Sequence, residues 1–381
     1  MSVPLGIDFG TTYTLAAYFK KNSGMEFLPL SPGTGNKALL SSALAVSDEG
    51  ALTVAKDGRF LEENSSKVIF SLKRLLDGEV HGTPLAPAAA SFYSVAELIS
   101  RIFFEVATIS EEYLKQPVEG ALALPGHFKG KHADILKQAA QNAGLPLFVT
   151  VQEAEAACWA YGLEEEPACK VAVYNFGGGM FEFAVLEKRN STFKVLASSG
   201  DPNLGGEDMT LEVAKKLLEE IESVWGKNAV CDPQFKARVR HEAERAKCAV
   251  SHRGSYDLRM KWPAAQKEYV RAISRFEVSD MARRFVERSL EHCRSALESA
   301  GLGVQVIDRV ILAGGVTRMP VVQEAVESFF GKKPFSRINP DEVIAAGVAR
   351  YAYLQKNSRH HRQGNRRDDE HDFIRTPRKN V

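Results

Sequence analysis

The chain has 381 residues, 44% apolar and 25% charged, an ordinary soluble composition with room for two or three domains. With 49 Lys and Arg against 48 Asp and Glu, the net charge is +1, which excludes a global basic field for nucleic acid or membrane partners. Cys158, Cys169, Cys231, Cys248 and Cys293 form no CxxC pair, so reduced thiols in a cytoplasmic setting are favoured over disulfides or a zinc site. Asp8 interrupts the first apolar run and no run reaches bilayer length, so neither a secretory leader nor a membrane span is expected.

Residues 1–30 read as paired strands around Asp8-Phe9-Gly10-Thr11-Thr12-Tyr13. A carboxylate at the end of a buried strand is costly unless a cation or donor meets it. Gly10 lets the turn bring backbone N–H groups close to an anion, and Thr11 and Thr12 can donate to phosphate oxygens. The stretch reads as a phosphate-binding hairpin with Asp8 facing a metal, against an ordinary Gly-turn hairpin at similar weight. Residues 36–92 hold a strand-like 43–46, a charged helical piece at 69–76 and a Pro/Ala/Gly loop at 82–90. A helix over 94–114 has Ser94 as N-cap and Glu97 at the capping-box position, and Pro117 stops it. Then come a buried strand at 118–124, a helix at 131–143 ended by Gly144, and a short strand at 149–151. Gln152-Glu153-Ala154 opens the next helix, and Glu164-Glu165-Glu166-Pro167 reads as a hinge.

Beyond the hinge the first plan returns. Tyr174-Asn175-Phe176-Gly177-Gly178-Gly179-Met180 is again strand, polar residue, Phe, Gly and small residues before a strand. Two such units predict two similar lobes with a ligand between their turns, a different device from the GxxxxGK[ST] loop, which is absent. Helices follow at 207–225, after Gly205-Gly206-Glu207-Asp208, at 233–250, and at 278–300 with Gly301 as its end. A strand at 310–313 runs into Gly314-Gly315, and a final helix over 340–354 starts at Asn339-Pro340-Asp341. Residues 355–381 lack any hydrophobic period and read as a disordered tail, its basic run offering an anionic partner as the alternative.

With Leu312-Ala313-Gly314-Gly315-Val316-Thr317-Arg318 added to both hairpins, the chain resembles the nucleotide-binding domain of Hsp70 chaperones from about residue 3 to 354. The resemblance implies an α/β, two-lobed actin-like (ribonuclease H-like) ATPase fold with a nucleotide cleft between the lobes. Lobe I would span 1–168 with a small subdomain at 36–92, and lobe II 169–337 with one at 207–285; residues 338–354 would return to lobe I. It also implies ATP or ADP as ligand, with Mg²⁺ and a potassium ion. Leu72-Lys73-Arg74-Leu75 looks like the segment bearing the catalytic lysine, and Glu153 sits where the family has its metal-shell glutamate. Asp8, Glu153 and Asn175 would then hold the metal through its water shell, with Lys73, Glu153, Thr11 and Asn175 serving catalysis. Gly10, Thr11, Thr12 and Tyr13, Gly177, Gly178 and Gly179, and the loop Gly205, Gly206 and Glu207 would surround the phosphates. Glu244, Lys247, Cys248 and Ser251, with Gly314, Gly315, Arg318 and Asp341, would take ribose and base.

Several departures bear on mechanism. Family members that hydrolyse ATP carry Asp where Asn175 stands, and a carboxamide takes no proton and brings no charge. Met180 replaces a hydroxyl residue, Glu182 is a methylene longer than the usual Asp, and Cys248 replaces a basic residue beside the base. Val149 occupies the place of an arginine that J-domain co-chaperones contact, which puts a response to them in question. No leucine-rich linker or β-sandwich substrate domain follows residue 354, so the expectation is a motor half without a peptide clamp. The leading reading is a Mg²⁺–ATP-binding protein with slow or impaired hydrolysis, whose lobe closure an unknown protein partner reads. A small-molecule kinase of the same superfamily is the runner-up, followed by an actin-like filament or a nucleotide-independent scaffold.

Overall fold

The computed structural model describes residues 2–20, 24–31, 38–47, 49–55, 68–77, 93–262 and 267–372, with 262, 267 and 359–372 described by backbone alone. The expected loop at 82–90 lies outside the described residues.

Apolar runs with few interruptions make strands covered on both faces. β1 (Val3–Phe9) buries Leu5, Ile7 and Phe9, and pairs antiparallel with β2 (Tyr13–Lys20), which pairs in turn with β3 (Gly24–Phe27) and β4 (Leu40–Ser41). β5 (Leu44–Val46), β6 (Leu52–Val54) and β7 (Val68–Ile69) form a separate small sheet, followed by a 3-10 turn over Leu72–Asp77. The expected helical piece at 69–76 is therefore a strand end plus a 3-10 turn, with Ser71 between them in the left-handed region at φ 56°. Helix α1 (Val95–Leu114) carries the Ser94–Glu97 capping box, and β8 (Val118–Leu124) returns parallel to β1. After α2 (Gly130–Asn142), β9 (Leu147–Gln152) extends the sheet in parallel, and α3 (Glu153–Ala160) begins without a break.

The second sheet repeats the plan. β10 (Cys169–Phe176), β11 (Phe181–Arg189) and β12 (Thr192–Asp201) form an antiparallel meander. After α4 (Gly206–Trp225) and α5 (Pro233–His252) comes a two-stranded hairpin, β13 (Ser255–Trp262) and β14 (Lys267–Ser274). Beyond α6 (Arg275–Ser299), β15 (Arg309–Ala313) pairs parallel with β10, and α7 (Pro320–Phe330) follows. Each large sheet thus has a meander on one side of its first strand and a parallel strand on the other.

Helix α8 (Val343–Asp372) ties the two ends of the chain together by packing on β1, β2, β8 and α3. Small residues let the backbones touch. A Cβ on Gly6 would run into the backbone at Ala349, and one on Gly347 into the carbonyl of Ala156 in α3. The expected final helix differs at both ends: Pro340–Glu342 form turns before it, and the backbone stays helical through Asp372 instead of stopping at 354. No helix among the described residues is long and apolar enough to cross a membrane.

Gly347→Ala would force the α3–α8 crossing apart, and overpacking of this kind costs about 1–3 kcal/mol. A matching fall in urea-unfolding midpoint is expected; an unchanged midpoint would mean the helices do not approach this closely.

Candidate functional site

The two hairpin turns close by the same backbone bond: Gly10 N–H donates to the Tyr13 carbonyl and Gly177 N–H to that of Met180, each at 3.0 Å. They face each other. A Cβ on Gly178 would strike the Thr12 hydroxyl, and one on Gly179 the Thr11 side chain, so only glycine permits this approach. The start of α4 is laid over the second turn, with Gly206 N–H donating to the Gly177 carbonyl at 3.0 Å and Glu207 N–H to Gly178 at 2.8 Å. Gly314, at φ +83°, lies so close to the Phe176 carbonyl that no side chain fits. A cleft of about 710 Å³ runs between these turns.

Its floor is ionic and dry. Lys73 Nζ lies 2.6 Å from Glu153 Oε1, with the two side chains 6% and 5% exposed. Asn175 Nδ2 donates to the other oxygen, Glu153 Oε2, at 2.7 Å. Glu153 begins α3, where the helix N-terminus also favours its charge. Burial works against the Lys73 ammonium, but Glu153 and Asp8 outweigh it and hold its pKa above the ordinary value. Burial, then the charges of Glu153 and Asp341, push Asp8 up to about 7. Among the described residues the Asp8 carboxylate accepts no hydrogen bond. Glu182, opposite Asn175 in the β10–β11 register, is raised to about 7 by burial and by Glu153, and accepts the Gly126 N–H at 2.8 Å from the first lobe.

On the far wall, Lys247 Nζ donates to the Gly206 carbonyl at 2.7 Å and to Thr210 Oγ1 at 2.9 Å, and pairs with Glu244 at 2.7 Å. Burial opposes the Glu244 charge, yet Lys247 and the Thr210 hydroxyl keep its pKa below the ordinary carboxylate value. Burial and the neighbouring Glu244, to which the thiol donates at 3.3 Å, push Cys248 up to about 12. Ser251 bonds back to the Lys247 carbonyl at 3.1 Å. Arg318 is held at the mouth between Asp341 at 2.8 Å and His252 Nε2 at 2.6 Å. A Cβ on Gly315 would press on Asp341.

Asp8, Gly10, Thr11, Thr12, Tyr13, Lys73, Glu153, Asn175, all three glycines of the second turn, Gly206, Gly314 and the far-wall residues just named except Thr210 line this cleft; Gly205 and Glu207 do not. Gly205 packs against the backbone of Gly178 and Gly179. Glu207 belongs to a latch across the cleft that the sequence reading missed. Arg74 Nε donates to the Gly179 carbonyl at 2.9 Å and Nη2 to Asp208 Oδ2 at 2.8 Å, while Ser71 Oγ donates to Glu207 Oε2 at 2.6 Å. Arg240 lies 3.6 Å from Glu207 and over the Phe70 ring at 5.1 Å. The available signal was two motifs of opposite charge, Lys73-Arg74 and Glu207-Asp208, both assigned to one cleft.

A family model described as Hsp70 protein matches residues 61–363, well over half of the chain.

Two outcomes follow from the geometry. Asp8 and Glu182 titrate higher in the fold than in the unfolded chain, so their contribution to stability is fullest below about pH 4 and is lost as pH rises through about 7. Glu182→Gln should therefore flatten the decline in thermal midpoint across that window; an unaltered slope would remove Glu182 from the account. Arg74→Ala leaves the Gly179 carbonyl without its donor and Asp208 with the Gly205 N–H alone, and charge-assisted bonds are worth about 1.5–3 kcal/mol each. A larger radius of gyration and faster amide exchange at 177–180 are expected, and wild-type values for both would show that the latch does not hold the lobes.

Proposed function

The chain belongs to the Hsp70 family and is an Hsp70-like ATP-binding protein; from that premise we propose that it binds Mg²⁺–ATP and hydrolyses it slowly. In this reading its lobe closure is the signal, and a protein partner in the cytoplasm reads it.

The phosphates lie between the turns, where Thr11, Thr12 and the backbone N–H groups donate to their oxygens. Tyr13 flanks them. Lys73 supplies a positive charge to the terminal phosphate and the attacking water. Glu244, Lys247 and Ser251 offer an acceptor and donors to the ribose, and Cys248, Gly314, Gly315, Arg318 and Asp341 frame the base. Gly205, Gly206 and Glu207 act on the phosphates by fixing the second turn, Gly206 also lining the cleft.

The donor set offers a hydrated divalent ion one open carboxylate, Asp8; beside it Glu153 has both oxygens taken by Lys73 and Asn175. When bound, that ion shields the phosphates and polarises the terminal phosphoryl group.

One observation carries the slow hydrolysis. The side chain at 175 is an amide that donates to Glu153, whereas hydrolysis calls for a group there that takes a proton or holds charge. Loss of such a group costs about two to four orders of magnitude in rate. Binding rests on other donors and survives.

Single-turnover hydrolysis with bound nucleotide quantified tests this on wild type and Asn175→Asp. Both are expected to bind ATP and only the Asp variant to cleave it quickly. Wild-type cleavage that the substitution does not improve would make the chain a true ATPase by another group. Binding by neither would leave a nucleotide-independent scaffold.

A further inference from the structure

The residues around Glu153 carry a second consequence, which rests on the nucleotide-binding reading above. We infer that this cleft takes nucleotide with an affinity that does not depend on a divalent cation.

Glu153 is buried, and both of its oxygens are satisfied by protein donors, Oε1 by the Lys73 ammonium at 2.6 Å and Oε2 by the Asn175 amide at 2.7 Å. A carboxylate at 175 would place two anionic oxygens within hydrogen-bond distance in a dry site. Such a pair stands only with a cation or a shared proton between them. The amide reverses this, because its N–H is itself the positive end of a dipole facing Glu153. Glu182 lies outside the cleft lining and gives one oxygen to the Gly126 N–H. Among the described residues that line the floor, Asp8 is the carboxylate with both oxygens unbonded, and one carboxylate does not build a tight site for a hard cation. Among the described residues, no three His, Cys, Asp or Glu side chains converge as direct ligands. The phosphates therefore meet a floor whose charge is already balanced around Glu153, and Lys73, the threonine hydroxyls and the turn N–H groups hold them. An ion that enters with the nucleotide stays a passenger on it, gaining little from the protein.

Linkage makes this measurable from either side. If the metal does not change nucleotide affinity, the protein does not change the metal affinity of the nucleotide. The first experiment is fluorescence anisotropy with a labelled ADP and a labelled ATP, in excess Mg²⁺ and in EDTA, with K⁺ held constant. Wild-type Kd is expected to shift by less than about threefold, whereas Asn175→Asp should lose about tenfold or more in EDTA and recover it with Mg²⁺. A wild-type loss of about tenfold in EDTA would overturn the inference. Absence of binding under both conditions by both proteins would instead defeat the nucleotide reading itself. Should the Asp variant not fold, Mn²⁺ titration of the wild-type ADP complex, followed by electron paramagnetic resonance, decides the same point. Mn²⁺ affinity equal to that of free ADP is expected, and a tightening of about tenfold or more contradicts it.

Discussion

A carboxylate that has left water must find partners, and Glu153 is where this structure meets that demand. Its charge is held by an ammonium from the 3-10 turn that follows the small β5–β7 sheet and by an amide from the first strand of the second large sheet. Neither partner lies near it in sequence: Lys73 is 80 residues before it and Asn175 is 22 after. The buried pair is not a large net source of stability, since desolvation consumes most of its Coulomb gain. It acts instead as a constraint. With either partner withdrawn, an uncompensated charge would remain in a dry site, so the three segments that carry these groups have to stay together. The closed arrangement of the turns follows from that triad as much as from any ligand.

Closure also needs surfaces that can meet, and glycine and alanine provide them at two distant points. At the helix crossing beneath the cleft, Gly6 and Gly347 let α8 touch both β1 and α3, which leaves the two sheets joined through a thin, tightly packed seam. At the turns, Gly178 and Gly179 admit the threonines of the opposite hairpin. Between these rigid contacts, the polar latch of Ser71 and Arg74 on Glu207, Asp208 and the Gly179 carbonyl is the part that can open. Packed backbone offers no second arrangement at little cost, whereas hydrogen-bonded side chains exchange for water. On the proposed reading, opening would take place at the latch and pivoting at the seam.

Both hairpins were legible in the sequence because Asp8-Phe9-Gly10 and Asn175-Phe176-Gly177 interrupt apolar strands with residues a strand would otherwise exclude. The α1 capping box was legible because it is written within four residues. What escaped were features without a local signature. The Arg74 latch joins residues more than 100 apart, and the Glu182 to Gly126 bond crosses the lobe boundary, so no window contains either. The β13–β14 hairpin is an exception: β13 alternates polar and apolar residues at every position, a local strand signal that was present but not used, and only β14 alternates weakly. Residues 69–76 look helical by apolar spacing, but the left-handed Ser71 splits them into a strand and a 3-10 turn, a choice set by its bond to Glu207 across the cleft. The last helix outran its expected end because helical propensity persists where amphipathic patterning stops.

The departures at 175, 180 and 182 lie on one turn and change its chemistry together. Asn175 gives up a charge and supplies a donor; Met180, buried and apolar, gives up a hydroxyl; Glu182 keeps a carboxyl group but spends one oxygen on the Gly126 N–H. The first two changes remove an oxygen that could hold water or cation, the third commits one, and all leave the backbone path intact, since the Gly177 to Met180 bond still matches the Gly10 to Tyr13 bond. Shape and reactivity are thereby separated. The cradle depends on glycine and main-chain N–H groups, which these side chains do not touch, while proton transfer and metal positioning depend on the side chains that differ. On the proposed reading, a turn altered in this way would keep what recognises a phosphate chain and lose what breaks it.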